Sequence, residues 1–238
     1  AVSEIKEADD PSLMPEYQKK ANKGINQNYS YVDKGYYNSW DELYGSTAHD
    51  EYDENRKPGN YIILDYDADG MITQDDNIPY GYTGIPQNTM NLQIGFDYKG
   101  WSCFVQFYGV NNVSRSVGLT SLGGTRNTAF FEGSYWSPDN QNADVPLPRW
   151  LNQASKYTDG TRFLFDGSYT RLKYAELSYT FSKEKWLKAS GLSSLKVFVN
   201  GNNLFLWTDM PDDRESNTGG WSAYPTQRRF NLGFKITL

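Results

Sequence analysis

Asp65, Asp67 and Asp69 alternate in the stretch ILDYDADGMITQDD, residues 63–76. Gly70 follows, an apolar Ile72 comes next, and Asp76 closes the run. At this spacing hard carboxylate oxygens converge on a cation such as Ca2+, because the glycine permits the sharp turn the loop requires. The expected ligands are Asp65, Asp67, Asp69, Met71 at the seventh position through its backbone carbonyl, and Asp76 at the twelfth. Mg2+ is the substitute ion, and the expected role is structural. Asp65, Asp67, Asp69, Asp75 and Asp76 would otherwise repel one another and splay a long loop. Asp76 is shorter than the bidentate Glu usual at that place, which points to modest affinity. Such loops normally lie between two helices, yet YIIL before it and NIPYGYTGIPQN after it do not read as helical. The competing reading is a solvated acidic turn without metal.

Other chemistry is sparse. There is no G-x-S-x-G and no H-E-x-x-H, and the one histidine, His49, lies in the polar run GSTAHDEYDENRKPGN, where it reads as a solvated loop residue. Acidic residues cluster in loops such as HDEYDEN and DDRES and form no recognisable pair for glycoside hydrolysis. No enzyme is expected. The single Cys103 excludes an internal disulfide and any multi-cysteine metal site. The loop tryptophans are the candidate substrate-binding residues: Trp40, Trp136, Trp150 and Trp221 lie in or beside expected loops. There flat rings can stack on sugar faces at low entropy cost. The competing roles are loop packing for Trp136 and Trp150, and an interfacial aromatic belt for Trp207 and some of the tyrosines.

The elements that must position these residues are strands. Among 238 residues, 38% are hydrophobic and 16% aromatic, with 19 Tyr, and the mean hydropathy is -0.73. No apolar run approaches the ~20 residues of a membrane-spanning helix, which leaves open a membrane β-barrel whose strands alternate. The net charge of -6 and the lack of a basic block exclude nucleic acid as the expected partner. The opening AVSEIKEADD carries no charged-then-apolar secretion signal, so the chain reads as mature or as a piece of a longer one.

In NLQIGFDY, Leu92, Ile94, Phe96 and Tyr98 share one face, opposite Gln93 and Asp97. Trp101, Cys103, Val105 and Phe107 oppose Gln106 and Tyr108, and Ala175, Leu177, Tyr179 and Phe181 oppose Glu176. Leu195, Val197 and Val199 oppose Lys196 and Asn200, and the terminal strand sets Phe230, Leu232, Phe234 and Ile236 opposite Lys235. This period of two predicts strands with one apolar and one polar face. A soluble sandwich would alternate too, so the alternative of a secreted, calcium-stabilised β-sandwich that binds glycans stays open. The connections favour a barrel. Lys99-Gly100 and residues 182–193 are short links, whereas 111–167 and 207–225 are long. Short and long connections alternate in outer-membrane barrels. Five strands would leave two open edges in lipid, so on that reading other strands must complete the wall.

The segment RLKYAELSYTFSKEKWLKASGLSSLKVFVNGNNLFLWTD, followed by YPTQRRFNLGFKITL, resembles the C-terminal end of SusC/RagA-like TonB-dependent outer-membrane transporters. YWSPDNQNADVPLPRW resembles an external loop of that family, and QNYSYVDKGYYNSWDEL with PGNYIILDYDADGMI resembles the stretch around its acidic loop. The blocks run in order over residues 24–238. The chain departs from the family in ending on Leu238, where an aromatic residue is usual, and the TonB box and plug lie outside these residues.

The resemblance implies an all-β fold, the C-terminal part of a transmembrane antiparallel barrel of about 22 strands. Residues 1–86 would form an external loop region. Residues 87–238 would supply strands near 90–99, 101–111, 168–181, 194–206 and 227–238, with external loops 112–167 and 207–226. It also implies TonB-dependent import of oligomeric nutrients across the outer membrane of a bacterial cell. Oligosaccharides are the expected cargo and peptides the alternative. A SusD-like surface lipoprotein would be the partner, the TonB complex would supply energy, and lipid would surround the wall. Asn202 joins Gln93, Asp97, Gln106, Tyr108, Glu176, Lys196, Asn200 and Lys235 as expected lumen-facing residues.

Overall fold

The structure, a computed structural model, describes residues 3–46, 49–50, 56–116, 135–144, 146–147, 160–182, 184–210 and 226–238. In chain order its elements are β1 (Tyr29–Tyr31), β2 (Asp33–Tyr36), α1 (Trp40–Gly45), β3 (His49–Asp50), β4 (Tyr61–Ile63), β5 (Met71–Ile72) and β6 (Asn77–Pro79). There follow β7 (Asn88–Tyr98), β8 (Trp101–Asn111), β9 (Ser114–Ser116), β10 (Leu164–Asp166), β11 (Tyr169–Phe181), α2 (Lys185–Ala189), β12 (Ser194–Thr208) and β13 (Arg229–Thr237). They fall into two compact units. One is drawn from the described residues of Ala1–Ile85 and Val113–Asp166, the other from those of Pro86–Asn112, Gly167–Thr218 and Tyr224–Leu238.

The second unit is a five-stranded antiparallel sheet in the order β13-β12-β11-β8-β7. Its register makes the alternation two-dimensional. Phe96, Cys103, Leu177, Val199 and Leu232 form one row across all five strands, and Tyr98, Trp101, Tyr179, Val197 and Phe234 form another. On the opposite face Gly95, Phe104, Glu176, Asn200 and Asn231 align in the same way. Strands β7 and β8 are joined by a two-residue turn with φ of +48 at Lys99 and +91 at Gly100. Two left-handed central residues match the twist of the flanking strands. One interruption breaks the period. Leu172 pairs with Phe107 and Phe205, but Tyr174 pairs with Gln106 and Asn202. Strand β11 therefore carries Lys173 as an extra residue relative to β8, and β12 carries Asn203 and Leu204. A bulge of this kind bends the strand and steepens its twist, as at barrel rims.

The apolar rows are exposed. Phe96 is 59% exposed, Phe234 72% and Leu232 81%. No charged residue occupies these rows, whereas Asp97, Glu176, Lys196, Arg229 and Lys235 all share the other face. On that face Lys196 Nζ donates to Glu176 Oε1 at 2.9 Å, Tyr174 donates to Glu176 Oε2, and Asn231 donates to Asn200 at 2.9 Å. An apolar outer face with a hydrogen-bonded inner one is the arrangement of a wall between lipid and a polar lumen. A sandwich would instead cover its apolar face with a second sheet. Among the described residues the other sheets have two strands each.

Among the described residues the first unit is built from four short pairs, β1-β6, β2-β4, β9-β10 and the parallel β3-β5. They surround a core of Tyr36, Tyr61, Ile63, Ile72, Trp136, Ala143 and Phe163. No helix among the described residues is long and apolar enough to cross a membrane.

Candidate functional site

The acidic loop runs between β4 and β6 of the first unit. Ala68 at φ +60 and Gly70 at φ +86 fold it back on itself. Each aspartate then captures a nearby amide. Asp67 Oδ1 accepts from Asp69 N at 3.2 Å, Asp69 Oδ1 from Met71 N at 2.7 Å, and Asp65 Oδ2 from Gly70 N at 2.9 Å. Asp76 is 0% exposed and accepts from Tyr66 N at 2.5 Å and Thr73 N at 2.8 Å. It completes a capping box with Thr73 at the 3-10 turn of Gln74–Asp76. The segment before β1 buttresses the loop from outside: Tyr17 donates its hydroxyl, and Gln18 its amide, to the carbonyl of Asp75.

These contacts bring Asp65, Asp67 and Asp76 together, with one carboxylate oxygen of each within 4.8 Å of the others. Asp69 is not in that cluster and instead turns its Oδ1 to Met71 N, at the start of β5. Asp67 is an exposed residue, yet desolvation of its carboxyl pushes its pKa above the usual carboxylate range, with the charges of Asp69 and Asp76 and a hydrogen bond that its protonated form donates to Asp65 also contributing. Asp65 Oδ1 is buried and accepts no hydrogen bond. A buried carboxylate oxygen without a donor is costly unless something else meets it. The donor set, hard oxygens alone, suits Ca2+ or Mg2+ over a softer metal.

The tryptophans divide. Trp136 is 4% exposed, and its indole Nε1 donates to Asn38 Oδ1 at 3.1 Å. It lies against Gly59, where φ is +89 and an added Cβ would come within 2.5 Å of the ring and of Leu147 Cβ. Trp136 is therefore packed into the loop core, where a solute does not reach it. Trp40 is 52% exposed and stacks on Tyr44, 78% exposed, with ring centroids 5.8 Å apart on α1. Trp150 and Trp221 lie outside the described residues.

One cluster gives no sequence signal. Arg162 Nε donates to Asp33 Oδ2, and the same guanidinium donates to the Ala143 carbonyl at 2.9 Å. It lies 4.6 Å from the centroid of Tyr36 and 5.6 Å from that of Tyr61, two rings stacked on each other. Burial pushes the Tyr36 hydroxyl up to about 12, and Tyr61 higher still, so both stay neutral. The cluster ties four stretches of the first unit into one body.

A sheet with one exposed apolar face and one hydrogen-bonded polar face defines the class: a segment of β-barrel wall. Known proteins of that class match it. The chain is 29% identical over 224 residues to TonB-dependent receptor P3 of Formosa agariphila, across 87% of this chain and 22% of that protein. The structure of the RagAB peptide transporter matches with a TM-score of 0.64 at 18% identity, over 94% of this chain and 24% of that one. The RagAB peptide importer in its open-open state matches with a TM-score of 0.63 at 18% identity, over 95% and 24%. No family model matches. The chain thus spans roughly a quarter of the length of the relatives it matches. The likeness to a SusC/RagA-like TonB-dependent transporter read from the sequence is shown, and the fold is that of such a barrel's wall. The proteins it resembles are named as a receptor and transporters, not as enzymes.

Proposed function

We propose that this chain is the C-terminal part of the barrel of a TonB-dependent importer, which carries oligomeric nutrients across the outer membrane. The observation that carries this reading is the sheet itself, with every charged side chain of its paired rows on one face and an exposed apolar surface on the other. The polar face would line the lumen, where Glu176, Lys196 and Asn200 meet the plug or a passing solute. Work for opening would come from the TonB complex through a plug in the remainder of a longer protein. A SusD-like lipoprotein would close over the loop unit.

Two cargo classes compete. The exposed Trp40–Tyr44 stack supports an oligosaccharide, because aromatic rings present the apolar area that sugar faces require. The RagAB neighbours are named for peptides, but likeness at 18% identity concerns the fold. The acidic loop would hold Ca2+, or Mg2+ in its place, through Asp65, Asp67 and Asp76, with Asp69 and the Met71 carbonyl completing the set. The buried, unpartnered oxygen of Asp65 supports this.

Uptake decides the function. Cells carrying or lacking the full-length protein would be given labelled oligosaccharides and labelled oligopeptides, with and without a protonophore. Accumulation that needs both the protein and the proton gradient supports the import reading, and the cargo is the class accumulated. Equal uptake by both strains of every pool tested would refute it.

A further inference from the structure

The apolar face of the wall is not uniform. Near the end of the sheet that holds its two short connections lies a groove of about 570 Å³, lined by Trp101, Leu177, Tyr179, Val197, Val199 and Leu232. Its aromatic side continues as a ribbon: Trp101 to Tyr179 at 4.9 Å, Tyr179 to Phe181 at 4.6 Å, and Phe181 to Trp186 of α2 at 5.9 Å between centroids. Trp and Tyr at such a level mark the boundary between acyl chains and headgroups.

The charge of the two short connections, as the sequence gives it, runs against the rest of the chain. The two short connections hold Lys99, Lys183, Lys185 and Lys188 against the single Glu184. Residues 1–87 hold 7 basic against 17 acidic side chains, within a chain of net charge -6. Lys99 and Lys185 are exposed. Lys99 is held beside the ribbon, with its ammonium 5.0 Å from the centroid of Tyr98. The adjacent turn packs on Tyr179, since a Cβ at Gly100 would stand 3.2 Å from the Tyr179 ring. Basic residues just outside an apolar band attract anionic headgroups.

We propose that this groove seats one acyl chain of an anionic glycerophospholipid whose phosphate rests on Lys99 and Lys185. The site would retain a particular lipid, where the rest of the apolar face only borders a bilayer. The inference rests on the outer-membrane barrel reading, so its test must separate the two.

Full-length protein, stripped of lipid in mild detergent, would be offered equal amounts of phosphatidylglycerol and phosphatidylethanolamine with identical chains. Retained lipids would be counted by native mass spectrometry. One phosphatidylglycerol retained in preference to phosphatidylethanolamine by on the order of tenfold is the expected result, given what surface lysines gain from anionic lipid. Lys99→Glu with Lys185→Glu, both at exposed positions, should abolish the preference. Leu177→Trp should fill the groove and reduce retention of both lipids, whereas Leu92→Trp, on the same face outside the groove, should not. Retention without headgroup preference, or a preference that survives the lysine reversals, overturns the proposal. Heat-modifiable mobility on a gel reports the barrel independently. A variant that keeps it while losing the lipid supports the site, and a wild-type protein that lacks it removes both readings together.

Discussion

At the scale of single residues, the acidic loop and the Arg162 cluster differ in how they could be found. Asp65, Asp67, Asp69, Gly70 and Asp76 announce themselves because all their partners lie within one short stretch, and the spacing encodes the turn. Structure adds that Asp69 spends its Oδ1 on Met71 N while Asp65 keeps a buried oxygen unmet. That asymmetry yields a prediction. In calcium titrations of the full-length protein, Asp65→Asn or Asp76→Asn should weaken affinity by about tenfold or more, as expected when a charged ligand is removed. Asp69→Asn should weaken it less, and chelation should expose the loop to protease. Unchanged cleavage with and without chelator would mean that the loop is held by its own amides alone. Arg162 shows the opposite case. Its partner Asp33 lies 129 positions away, and nothing in the local stretch DGTRFLF sets that arginine apart from a solvated one.

Elements were the most legible scale, because a half-buried strand writes its two faces into every second residue. The rows of Phe96, Cys103, Leu177, Val199 and Leu232 follow directly from that period. The bulge at Lys173 did not, since the residues around it satisfy either face and only the pairing of three strands resolves the extra positions. The faces make a test with neighbours as controls. Ile94, 53% exposed on the apolar face, and Gln93, on the polar face, are adjacent in β7. Refolding of the full-length protein into vesicles along a denaturant gradient should show Ile94→Lys costing about 2–4 kcal/mol, the expense of a lysine near the bilayer midplane. Gln93→Lys should cost little. Equal effects at the two positions would contradict the assignment of faces.

At the scale of the whole molecule, the five-stranded sheet has two edges without a partner strand among the described residues: β7 and β13 each have a single neighbour. Long apolar strands with free edges template association with other chains. Residues 1–238 expressed alone should therefore collect as aggregate without detergent, whereas the full-length protein in detergent should be monodisperse. A monomeric, soluble 27.2 kDa species would show that the exposed rows are covered in some other way. The large remainder of the relatives' length is where pairing partners for both edges would be sought.

The bracing inside the loop unit has a mechanical consequence. Arg162 clamps Asp33, Tyr36, Tyr61 and the Ala143 carbonyl, and Trp136 is wedged against Gly59. A body cross-braced in this way behaves as a fixed frame, much as a door jamb does. The four stretches it joins should therefore travel as one piece, and any hinge is to be sought outside them.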